Sequence, residues 1–62
     1  MSEADAINAL KEAHRKFQQS GDRRHLADAI QKCRAAEMTD AAIAAEIGES
    51  VEWVGEHDTW PE

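Results

Sequence analysis

Sixty-two residues hold one domain with a small core, close to the lower size limit for independent folding. The apolar share of 42% leans on alanine, so large core side chains are few and self-association is one route to completing the core. A single cysteine, Cys33, excludes an internal disulfide and fits a reducing, cytoplasmic setting. The sequence shows no secretory-signal pattern and no apolar run long enough for a membrane span.

The net charge of -6 is unevenly placed. Residues 1–34 carry all seven Lys and Arg against five acids, a balance of +2. Residues 35–62 carry eight acids and no Lys or Arg, a balance of -8. Such a partition predicts head-to-tail or inter-subunit contacts, or a basic partner for the acidic end.

Read in order, the chain predicts three or four helices and no strand. Ser2 with Asp5 forms a variant capping box. The first helix carries Ile7, Leu10, His14 and Phe17 as one stripe, while Ala6, Ala9 and Ala13 add helix propensity without bulk. Lys11, Arg15 and Lys16 fall off the stripe and are expected in solvent. Ser20-Gly21 stops the helix, with Gly21 suited to a left-handed position. Asp22 caps a second helix whose apolar face is Leu26, Ala29, Ile30 and Cys33. Together residues 2–38 read as a helical hairpin across a very short turn, closed by Met38. Thr39 or Asp40 caps a third helix from Ala41 to Ile47, and Ser50 caps a fourth from Val51 to about Asp58. Trp60 before Pro61 marks residues 59–62 as an extended tail.

Residues 39–58 resemble a helix-turn-helix unit. Ile43, the small Ala44 where two helices approach, Ile47, Gly48 at the turn and the later anchor Val54 carry the resemblance. Size and motif are similar to the small helix-turn-helix proteins of bacteria and their phages. Two positions depart from the pattern: Glu49 stands where an apolar residue is usual, and His57 where a further apolar anchor is usual. The resemblance implies a second helix that enters the DNA major groove, with Glu49, Ser50, Glu52, Trp53 and Glu56 near the bases. Those carboxylates repel phosphate, so charge disfavours DNA. In a DNA-binding dimer, Arg23, Arg24 and His25 at the start of the second helix, with Ser50, would contact DNA.

Other chemistries find little footing. His14, His25, His57 and Cys33 form no close ligand pair, so no metal or other cofactor is expected. His14 is expected at a helix–helix seam. Cys33 reads as a small core residue, because nothing near it in sequence would lower its pKa. There is no phosphate-cradling glycine loop and no nucleophile elbow, and no enzymatic activity is expected.

A protein partner fits better. Trp53, His57 and Trp60 would share one side of a continued fourth helix, amid Glu49, Glu52 and Glu56. The sequence therefore predicts a small regulatory or adaptor protein with an acidic, Trp-bearing contact surface, one also able to imitate nucleic acid toward a basic DNA-binding protein. A homodimer through that surface, or through the Ile7/Leu10/Phe17 stripe, is a second candidate. Trp53 has an alternative use as a cover for the core or a packing partner of the first helix.

Overall fold

A computed structural model describes residues 2–58, which form four helices and no strand. These are α1 (Glu3–Ser20), α2 (Arg23–Ala35), α3 (Asp40–Ile47) and α4 (Val51–His57). The predicted tail, with Trp60, lies outside the described residues.

Each helix starts where a side chain can take an otherwise unpaired backbone N–H. Ser2 Oγ accepts from the Asp5 amide, Asp22 from Arg24, Thr39 from Ala42 and Ser50 from Trp53. The Ser2 hydroxyl donates to the Asp5 carboxylate at 2.9 Å, so the box closes through side chains. Gly21 and Gly48 end α1 and α3 at φ of 76° and 70°. This left-handed backbone is costly for any residue with a Cβ. The α2 end reaches the same geometry without glycine: Glu37 has φ 67°. The Glu37 amide donates to Arg34 O at 2.9 Å and the Met38 amide to Cys33 O at 3.1 Å. That is a Schellman closure, and its usual hydrophobic contact is supplied by Met38 and Cys33, which share the core.

The first two helices form the hairpin, turning back across Gly21 and Asp22. The core lies where α3 and α4 cross this hairpin. Leu10, Leu26, Ile30, Cys33, Ile43 and Val54 are its largest fully buried side chains. Alanine has a larger part than propensity suggests. Ala6 and Ala27 are fully buried and Ala13 nearly so. They form floor rather than filler, because a chain with few large side chains reaches interior density only by bringing backbones close. The helix-1 stripe sits accordingly: Leu10 is its buried centre, while Ile7 and Phe17 pack half-buried against the core and His14 is half-buried. That stripe therefore contributes to the monomer core through Leu10, with Ile7 and Phe17 at its edge.

Replacing Glu37 with Gly removes the penalty for a side chain in left-handed backbone. The expected result is a gain of about 1 kcal/mol in urea unfolding. An unchanged midpoint would show that the Glu37 turn is relaxed.

Candidate functional site

α4 has two faces with different surroundings. Trp53, Val54, His57 and the following Asp58 point inward or along the seam, and are buried or half-buried. Val51, Glu52, Gly55 and Glu56 are exposed.

The inner face is held by aromatic rings. Helices α1 and α4 have no Cα atoms within 8 Å of each other, and side chains bridge the gap. Trp53 and His57 stack with centroids 4.0 Å apart, and Phe17 meets both edge-on at 5.9 and 5.4 Å. His14 adds a second edge-on contact to Trp53 at 5.5 Å. Edge-to-face pairs suit rings with negative faces and positive edges. His57 Nδ1 lies 2.8 Å from Trp53 O; a carbonyl only accepts, so Nδ1 carries the proton. His14 Nε2 likewise donates to Glu49 Oε2 at 3.1 Å. The two departures from the helix-turn-helix pattern thus have partners on α1: Glu49 meets His14, and His57 meets Phe17.

The end of α4 is held by α2. Arg23 Nη2 donates to Glu56 O at 2.7 Å, and Gln31 Nε2 to Asp58 O at 2.7 Å. Arg34 Nη1 donates to Asp58 Oδ2 at 2.7 Å, while its Nε and Nη2 fork onto Asp40 at 3.0 and 3.1 Å. Hydrogen bonds donated to Asp40 and then to Asp58 hold the Arg34 guanidinium above its ordinary pKa. A fork geometry of this kind is one that lysine cannot supply. Asp58, an acid at the unfavourable end of a helix, is therefore placed there as the Arg34 partner.

These contacts reassign much of the charge partition. Lys11 pairs with Glu46 at 3.5 Å, and Lys16 and Lys32 pair within their own helices with Glu12 and Asp28. Arg23 is half-buried, and its Nε is buried without a partner among the described residues. Arg24 and His25 are exposed, with His25 3.7 Å from Asp22. The Ser50 hydroxyl caps α4. Of the residues named for DNA contact, Arg23 and Ser50 thus have hydrogen-bond partners within the chain, and Arg24 and His25 face solvent.

Of the residues named for a partner surface, Glu52 and Glu56 are exposed and pair with no described side chain. Glu49, Trp53 and His57 are half-buried in the seam. Two further residues complete the exposed face. Val51, 49% exposed, is the one exposed large hydrophobic side chain among the described residues. Gly55 lies beside it with nothing within 4 Å of where a Cβ would stand. Their i, i+4 spacing was legible, but only the docked inner face shows which way they point.

Cys33 is buried and donates to Ala6 O at 3.4 Å. Burial first, and Glu46 second, push its thiol pKa up, which suits a core residue and not a nucleophile. Among the described residues no group of three or more His, Cys, Asp and Glu could hold a metal ion. No described helix is long and apolar enough to cross a membrane.

With Trp53 half-buried in the seam, Trp53→Ala should cost about 2 kcal/mol in urea unfolding, less than a fully buried Trp would. A stability change below about 0.5 kcal/mol would place its role elsewhere.

No protein-family model, curated protein or solved structure matches this chain.

Proposed function

We propose that this chain is a small non-enzymatic regulatory or adaptor protein, helix-turn-helix-like in its last two helices, that binds a cationic protein. The contact surface is the outer face of α4, with Glu49, Trp53 and His57 supporting it from the seam. The observation that carries this reading is the pairing pattern. Most cations of the first half are engaged within the chain, whereas Glu52 and Glu56 stand exposed beside Val51 without a described counter-charge. Acids without an internal counter-charge beside an exposed apolar side chain steer and hold a basic partner. Such a surface repels nucleic acid and can imitate it toward a DNA-binding protein. The cytoplasmic setting belongs to the same proposal.

The alternative is a DNA-binding dimer. It has weaker support, because Arg23 is turned onto α4 and Ser50 onto its own helix. Only Arg24 and His25 of the proposed contact set remain free to meet phosphate, against eight acids in the second half.

Two assays separate the readings. The wild-type chain is expected to leave random duplex DNA unshifted at low salt and to bind an arginine-rich peptide in calorimetry. Glu52→Gln with Glu56→Gln should weaken the peptide by about tenfold, with a flatter salt dependence. A steep, salt-sensitive DNA shift would overturn the protein-binding reading, as would equal peptide affinity in the double variant.

A further inference from the structure

The outer face of α4 has a shape as well as a charge. Val51 and Gly55 form one ridge, and Glu52 and Glu56 the next, each pair four residues apart. Side chains at that spacing lie about 5–6 Å apart along a helix surface. Gly55 sits in the interior of a seven-residue helix, where glycine is a poor helix former. Its fold does not require it: φ is not positive, and a Cβ would enter open space. Stability alone would favour alanine at this position. What glycine supplies is a notch on an exposed helix face, next to an exposed valine.

We propose that this notch seats a basic helix of a second protein, whose Lys or Arg residues four apart meet Glu52 and Glu56. The inference rests on the reading of α4 as a surface for cationic protein. A helix is the occupant that fits. Its cation ridge would repeat at the same interval as the two carboxylates. Helix axes approach most closely where contact residues are small, so Gly55 lets the partner helix descend onto Val51. A second copy of this chain fits less well, since each copy brings a net charge of -6. Arg23 lies at the edge of this face but is bonded to Glu56 O, leaving the Glu56 carboxylate for the partner.

The test uses the full chain and two amidated alanine-rich peptides of equal composition. One carries arginines four apart; the other carries the same arginines scrambled off one face. Calorimetry should show the wild-type chain binding the ridged peptide at least about fivefold more tightly than the scrambled one. Gly55→Leu should weaken the ridged peptide by about tenfold while the chain stays folded by circular dichroism. Gly55→Ala should raise the melting temperature by about 4–8 °C and still weaken the peptide measurably. Equal affinity of wild type and both Gly55 variants, or equal affinity for the two peptides, would overturn the basic-helix inference and leave the cationic-partner reading standing. Failure of the wild-type chain to bind either peptide would overturn both.

Discussion

The fold depends on how α4 is fastened to the hairpin. A seven-residue helix with an interior glycine has no independent stability in water. Its start is capped by Ser50, and its end is bonded by three side chains of α2: Arg23, Gln31 and Arg34. Phe17 and His14 of α1 close the gap through rings where the two backbones stay apart. Ordinarily a helix end satisfies its last carbonyls locally or with water. Here a neighbouring helix does so, and that fixes which side of α4 faces inward.

From that fixed orientation the rest follows. With Trp53, Val54 and His57 turned to the core or seam, Val51, Glu52, Gly55 and Glu56 must face solvent. The core itself is small. Its large members are few, and alanines at 6, 13, 27, 29 and 44 let the helices close around them. Arg34 adds a tie between the start of α3 and the end of α4, so the last two helices are held as one unit against α2.

Local features of this structure were readable in the sequence. Ser2, Asp22, Thr39 and Ser50 cap their helices because capping depends only on residues two or three positions away. Gly21 and Gly48 mark left-handed ends for a similarly local reason. The Glu37 turn was hidden, since Schellman hydrogen bonding and the Met38–Cys33 contact hold a residue that has no local preference for positive φ. Long-range pairing was hidden too. Nothing in the sequence distinguishes Asp58, bound by Arg34, from Glu56, whose carboxylate has no described partner. The acidic second half was visible as a sum, but its division into internal partners and free carboxylates is a property of the packed helices. Trp53 drew notice as a contact residue by type, and its ring stacks on His57 in the seam.

The central claim is that α4 has a docked inner face and a free outer face that receives a cationic partner. Amide chemical shifts of the labelled full chain, followed while an arginine-ridged helical peptide is added, test it most directly. The account predicts the largest shifts at Val51, Glu52, Gly55 and Glu56, with the amides of Leu10, Ile30 and Ile43 in the core unmoved. Shifts centred on α1 or on the start of α2, or changes spread through the core, would contradict it.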